Sequence, residues 1–306
     1  MPRYLVSRLL EALVAIWGVV TIVFFVTRIL GDPAVLLLPV GAGQAELEAM
    51  RHSLGLDRPL MEQYFHTLWA MLRGDFGTSF QYMRPALQVV LQHMPATISL
   101  AGTALFFGVA FGAVAGAIAA LMRGTAAEFI VMVAALLGQA TPVFWLGIML
   151  ILFFAVNLGW FPTGGFGGLA HLVLPGATLA VFVTASIARL LRSSLLDILR
   201  EDYVRTARAK GLLPRTVFVW HVARNALIPV VTMIGIIAGE LLGGSVVTET
   251  VFAWPGVGRL IVQAIQVHDF PVIQAGVVLM AVIFVAINFI VDLLYGVLDP
   301  RISRRR

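Results

Sequence analysis

Long apolar stretches without charge alternate along this chain with shorter polar ones. From Leu9 to Thr27 the one charged side chain is Glu11. At 1.5 Å per residue that run covers about 30 Å, the depth of a hydrocarbon core. Pro95–Met122 carries no charge, and neither does Phe129–Ala188. A single helix over the second of these would be about 90 Å long, roughly three times that depth, so the chain must turn. The turn is placed at NLGWFPTGGFGGLAH, Asn157 to His171, where five glycines and a proline cannot sustain a helix and the adjacent aromatics Trp160 and Phe161 suit an interface. The pattern predicts six membrane helices, near 9–27, 95–122, 129–157, 173–195, 226–247 and 272–297. The segment between the first two is mixed in polarity and predicts short amphipathic helices at 44–54 and 59–73.

Composition excludes several classes. Of 306 residues, 60% are apolar without counting glycine and 12% are charged, against about 45–50% and 25% in soluble domains. That much apolar surface has no place in water, and disorder is excluded by the same arithmetic. The first apolar run is longer than a signal-peptide core and no small-x-small site follows it, so it is expected to remain as a first membrane helix. Cysteine is absent, which removes disulfides, thiolate metal sites and a cysteine nucleophile. Lysine occurs once, at Lys210, between Ala209 and Gly211. A phosphate-binding P-loop needs Gly-Lys-Ser/Thr, so this chain does not hold ATP in one.

The net charge of +5 has a location. With the N-terminus inside, six helices put residues 1–8, 123–128, 189–225 and 299–306 on the cytoplasmic side, and these hold 15 of the 21 basic residues. The bias of arginine and lysine toward the inner side therefore predicts both termini in the cytoplasm. Residues 189–225 carry eight basic against three acidic side chains.

Within the membrane helices, Gly108, Gly112 and Gly116 repeat every four residues, as do Gly235, Gly239 and Gly243. Such lines let helix backbones approach where lipid supplies little hydrophobic drive, and they also permit sliding. Glu240 is an acid deep in a late helix, next to Gly239, and is expected to border the packed seam; it reads either as an interhelical hydrogen-bonding group or as a proton or substrate contact. Asn288 and Asp292, one turn apart, read as packing or interfacial groups. No His-x-x-x-His pair or Gly-x-Ser-x-Gly elbow occurs, and the Gly165-x-Gly167-x-x-Ala170 spacing lacks a strand to give it meaning. No catalytic or metal site is expected. Trp254, Pro255 and Gly256 make a turn, after which Val257, Leu260, Ile261, Ala264 and Ile265 follow helical spacing.

The polar loop contains EDYVRTARAKGLLPRTVFVWHVARNALIP, Glu201 to Pro229. Glu201 and Asp202 open a short helix where acids suit the dipole, Arg208 and Lys210 close it, and Gly211 stops it. Pro214 restarts the chain, and Val217, Trp220, His221 and Arg224 continue on a second helical period. A basic amphipathic helix can lie on anionic headgroups. The small residues Thr206, Ala207, Ala209 and Gly211 instead favour a groove on another protein.

This loop resembles the cytoplasmic coupling loop of ABC importer permeases, and specifically the B-type subunit of the dipeptide/oligopeptide/nickel family. DYVRTARAKG at Asp202–Gly211 and RNALIPV at Arg224–Val230 match the peptide-permease form. Arg205, Thr206, Ala207 and Gly211 stand where the wider importer pattern reads Glu-Ala-Ala, three residues, then Gly. LGLDRPL at Leu54–Leu60, RGDFGTS at Arg73–Ser79, LPG at Leu174–Gly176, VVTETVFAWPGVGRL at Val246–Leu260 and LDPR at Leu298–Arg301 are similar to the same family.

The resemblance implies an all-α polytopic membrane protein with the type I ABC importer permease fold in the inner membrane. Its parts would be a first helix at 1–30, an extracytoplasmic segment at 31–94, a permease core at 95–298 with the coupling loop 189–225 and an outer loop 248–271, and a basic cytoplasmic tail at 299–306. It implies a second homologous permease subunit forming a heterodimer, two ATPase subunits that bind ATP and magnesium, and an extracytoplasmic solute-binding protein, with no cofactor on this chain. The coupling residues would be Glu201, Asp202, Tyr203, Arg205, Thr206, Ala207, Arg208, Ala209, Lys210 and Gly211, and Trp254–Gly256 would lie toward the binding protein. The substrates would be peptides, nickel chelates or glutathione. A proton-coupled carrier using Glu240 is the alternative expectation.

Overall fold

A computed structural model describes residues 2–31, 33–38, 42–53 and 55–298. The expected tail 299–306, Leu54 and the Asp292 side chain lie outside the described residues. The helices are α1 (Pro2–Leu30), α2 (Pro33–Leu37), α3 (Gln44–Ser53), α4 (Leu60–Leu72), α5 (Ala86–Leu121), α6 (Ala126–Ala140), α7 (Val143–Leu150), α8 (Leu169–Ile198), α9 (Asp202–Ala209), α10 (Pro214–Thr216), α11 (Arg224–Gly244), α12 (Val246–Val251), α13 (Val257–Gln266) and α14 (Phe270–Leu298). Two π-helical segments, Ile151–Asn157 and Val217–Ala223, continue α7 and join α10 to α11. Among the described residues there is no strand, and one isolated bridge pairs Thr78 with Pro85.

Among the described residues, five helical runs are long and apolar enough to cross a membrane, with α6 and α7 as a bent sixth candidate. That pair corrects the expectation of one straight helix over 129–157. The axis turns by 104° at Thr141–Pro142. Proline has no N–H and disfavours helical geometry in the residue before it, and Thr141 is extended, with φ −75° and ψ 125°. Pro95, Pro175 and Pro229, by contrast, lie inside continuous helices. The second membrane helix also starts earlier than its apolar run, at Ala86.

The described residues form two compact units, those up to 97 with 255–286 and those from 98 to 254 with 287–298. In the first unit, Ala86, Val89, Val90 and Met94 of α5 pack with Val257, Leu260 and Ala264 of α13 and with Phe270, Val272 and Ala275 of α14. A second cluster joins Val20, Met71 and Val278. Polar groups there are paired: Tyr64 Oη lies 2.8 Å from Thr21 Oγ1, and Gln274 Nε2 donates to Thr27 Oγ1 at 2.9 Å. The RGDFGTS motif is a tight turn with Gly74 and Gly77 at φ +78° and +81°. It ends in a buried latch, where Ser79 Oγ donates to Asp269 Oδ2 at 2.5 Å and the Gln81 N–H donates to the same oxygen at 3.2 Å. The Tyr82 N–H donates to Ser79 Oγ at 3.0 Å.

The second unit is organised on α8, whose Val183, Ile187, Ala188 and Leu191 are buried. Gly108, Gly112 and Gly116 of α5 face it so closely that an added Cβ would meet Val183 Cβ at 2.4 Å, Ile187 Cβ at 2.8 Å and the Ala188 carbonyl oxygen at 2.7 Å respectively. This backbone approach gains dispersion contacts that larger residues would prevent. Thr184 Oγ1 donates across it to the Gly108 carbonyl at 3.3 Å. Arg192 of α8 pairs with Glu128 of α6, its Nε lying 2.8 Å from Oε1, and Glu128 also accepts from the Gly124 N–H at 2.6 Å.

Candidate functional site: the loop helix and the late helices

The loop helix forms where the sequence places it. Glu201 is extended at the N-cap, and its carbonyl accepts from the Val204 and Arg205 N–H groups at 3.1 and 3.3 Å. Asp202 occupies the first turn and Arg208 the last, each favourable to the helix dipole. The C-terminus closes with the Gly211 N–H donating to the Arg208 carbonyl at 3.0 Å, and Gly211 has φ +78°, a left-handed conformation that glycine adopts at least cost.

Anchoring of the helix is set by two side chains one turn apart. Val204 and Ala207 are buried, as are Val217 and Val222 of the π-helical segment against which α9 packs. The hydroxyl of Tyr203 donates to the His221 carbonyl at 3.3 Å and accepts from Asn225 Nδ2 at 3.0 Å; Asn225 Nδ2 also donates to the same carbonyl at 2.9 Å. Ser194 Oγ of α8 donates to the Ala226 carbonyl at 2.9 Å. The helix is thus held to both α8 and α11 through one short segment.

This geometry corrects the small-residue ridge. Ala207 faces the chain's own interior, because positions three apart share a helix face and Val204 is already anchored. The outward face carries Glu201, Asp202, Arg205, Thr206, Arg208, Ala209 and Lys210. Arg205 reaches Asp202 at 3.4 Å with both side chains largely in solvent, and Thr206 Oγ1 donates to the Asp202 carbonyl. Exposed Leu213 and Trp220, at 71% and 65%, extend the surface with apolar groups. Sequence reasoning passed over Leu213. Its signal was an apolar pair, Leu212–Leu213, between a helix stop and a proline.

The late glycine line is not one seam. Gly235 faces Val291, whose Cγ2 would lie 2.1 Å from an added Cβ, and Gly239 is buried, whereas Gly243 has nothing within 4 Å. Glu240, expected at the packed seam, is exposed instead. The offset is geometric: Gly235 and Glu240 are five residues apart, about 140° around the helix. Trp254 and Gly256 are buried. Trp254 packs edge-on to Phe166 at 5.0 Å, and Glu249, fully buried, accepts from Ser245 Oγ at 2.9 Å. In the following helix, Val257, Leu260 and Ala264 are buried and Ile265 is exposed.

Two family descriptions match the chain. One, the binding-protein-dependent transport system inner membrane component, covers residues 112–304, and the N-terminal component of the same systems covers residues 1–101. The chain belongs to this family. The permease is 43% identical over 303 residues to the glutathione transport system permease protein GsiC of Escherichia coli K12, covering 99% of each chain. It is 44% identical over 304 residues to the GsiC of Pectobacterium atrosepticum, again covering 99% of each. Among solved structures, the inward-facing MetNI methionine ABC transporter matches with a TM-score of 0.56 at 20% identity, over 69% of the permease and 97% of that chain. An amino acid ABC transporter solved with histidines gives 0.53 at 16% identity, over 70% and 94%. These two likenesses carry the fold.

The permease is accordingly a multi-pass inner-membrane subunit of an ABC importer of the peptide/nickel family, and ATP hydrolysis belongs to partner ATPase subunits. The proton-coupled carrier built on Glu240 is not supported, since the relatives are ABC permeases.

Proposed function

We propose that the permease forms one half of the translocation pathway for glutathione or closely related short peptides, paired with a second, homologous permease subunit. The observation that carries this reading is the 43% identity to glutathione permeases across 99% of both chains. Both termini lie in the cytoplasm, as the arginine distribution indicates. The parts then divide into an N-terminal helix at 1–30, an extracytoplasmic segment at 31–94 and a core at 95–298 that contains the inner loop 189–225 and the outer loop 248–271.

The helix Asp202–Ala209 enters a cleft of an ATPase subunit. Val204 and Ala207 hold it to its own chain while Arg205, Arg208 and Lys210 meet the partner, with Leu213 and Trp220 at the margin. Anchoring through Tyr203 and Ser194 supports a rigid transmission, in which motion of the ATPase pair displaces α8 and α11 together. ATP shifts the inward–outward equilibrium only by binding the two states with different affinity. Glu240 lies on the pathway side of α11, because an ionisable group at membrane depth faces protein or water. Trp254–Gly256 shape the outer loop from within, and the exposed residues of α13 meet the binding protein.

The test is reconstitution of the complete transporter in proteoliposomes with its binding protein. Uptake of labelled glutathione should require ATP and be unaffected by dissipating a proton gradient. Absence of glutathione uptake together with import of a nonpeptide solute refutes the substrate assignment.

A further inference from the structure

The coupling surface does not account for an open pocket of about 600 Å³ in the second unit, whose largely apolar walls include Met132 of α6 and Met233 of α11 and which is bordered by Gln139 of α6 and by Ser186, Arg189, Arg192 and Ser193 of α8. Its volume lies within the range of small-molecule sites. Arg189 is roughly 30 Å along α8 from Leu169, the full depth of a hydrocarbon core, so it stands at the cytoplasmic end of the span for a helix that starts at the outer side.

The two arginines differ in their charge balance. Arg192 is neutralised by Glu128. Arg189 donates to the neutral side-chain oxygen of Gln139, and among the described residues no carboxylate pairs with it. Beside it the Ser186 hydroxyl is buried, 7% exposed as a residue, and has no hydrogen-bond partner. Arg189 and Gln139 are both exposed, so a solute can reach the guanidinium. Its planar fork suits a carboxylate, with an adjacent hydroxyl as a further donor.

We infer that the cavity between Gln139, Ser186 and Arg189 is a binding site for a carboxylate of the transported solute on its way to the cytoplasm. Arg189 supplies the charge, Gln139 orients the guanidinium, and the methionine wall accepts the apolar part of the solute. The identification of that solute as a peptide rests on the peptide-import reading above; the carboxylate preference rests on the cavity.

The experiment measures equilibrium binding of labelled glutathione, which has two carboxylates, and of its diamide to the complete nucleotide-free transporter in nanodiscs without binding protein. Wild type should bind the acid at least tenfold more tightly than the diamide. Gln139→Glu places a carboxylate against Arg189 without removing any helix contact, and it should abolish that preference, as should Arg189→Gln. Were Arg189 only a tie between α6 and α8, Gln139→Glu would leave the preference unchanged, and that result overturns the inference. The inference also fails if wild type shows no preference, or if either variant separates the permease subunits, which would assign Arg189 to an acid of the second subunit. Uptake is scored separately: a carboxylate preference without glutathione uptake refutes the glutathione assignment alone.

Discussion

Replacing Gly108 by alanine tests how closely α5 and α8 approach. The new Cβ would stand 2.4 Å from Val183 Cβ, where carbon pairs sit comfortably at about 3.5–4.0 Å. Both atoms are fixed to their backbones, so no rotamer change relieves the overlap, and the helices must part by about 1 Å. A gap of that size costs neighbouring atom pairs about a quarter to a half of their dispersion energy, along a line that includes Gly112 and Gly116. The Thr184–Gly108 hydrogen bond, already 3.3 Å, would be lost, at about 0.6 kcal/mol in a membrane interior. Overpacking contributes about 1–3 kcal/mol, and the better helix propensity of alanine returns about 1 kcal/mol. The expected net loss is about 0.6–2.6 kcal/mol. Gly102→Ala is the control, since nothing lies within 4 Å of its added Cβ; it should be neutral or stabilising. Thermal unfolding of the purified protein in nanodiscs measures both. Val183→Ala keeps the offending Cβ and should not rescue Gly108→Ala, whereas Val183→Gly should show favourable coupling with it in a double-mutant cycle. A Gly108→Ala protein as stable as the Gly102→Ala control, or rescue by Val183→Ala, would refute the reasoning.

Three further outcomes are expected. Gly211→Ala meets no steric obstacle but must hold φ +78°, costing about 1 kcal/mol, so exchange of the amide at position 211 should accelerate about fivefold and ATPase activity should couple less well to uptake. Ser79→Ala leaves buried Asp269 short of a donor, a loss of about 1–3 kcal/mol, with faster exchange at the Gln81 and Tyr82 amides. Tyr203→Phe removes the bridge to His221 and Asn225, about 0.5–1.5 kcal/mol; exchange should rise across residues 202–209 and stay constant in the middle of α8, and equal rises in both would contradict a local anchor.

The helix Asp202–Ala209 was legible because its signals are local. Acids at the first turn, cations at the last and a glycine stop need no tertiary partner, and the observed helix runs between them. Its orientation was not legible, because a row of small residues does not say which member is turned inward; packing of Val204 and Ala207 against Val217 and Val222 decides that. The Arg189 cavity was equally hidden. Gln139 and Arg189 are 50 residues apart in sequence and meet only once α6 and α8 lie side by side.

Prolines mark the same boundary between local and tertiary information. Four of them, Pro95, Pro142, Pro175 and Pro229, fall in apolar runs, yet only Pro142 ends its helix. A missing N–H weakens every one of these helices alike, so packing around each determines whether the chain bends.

Apolar runs too long for water, the glycine-rich break near 157–171 and the arginine asymmetry were sufficient for an all-helical membrane protein, since transfer to lipid and helix termination depend on residue type and spacing; the permease reading came from the resemblance of the inner loop and the other motifs to a known family. The tertiary structure alone decided that the sixth candidate span is bent, that Glu240 is exposed while Gly235 and Gly239 are packed, and that an arginine without an acid borders a cavity. Those facts depend on which faces meet at distances of a few ångströms, and a one-dimensional pattern does not contain those distances.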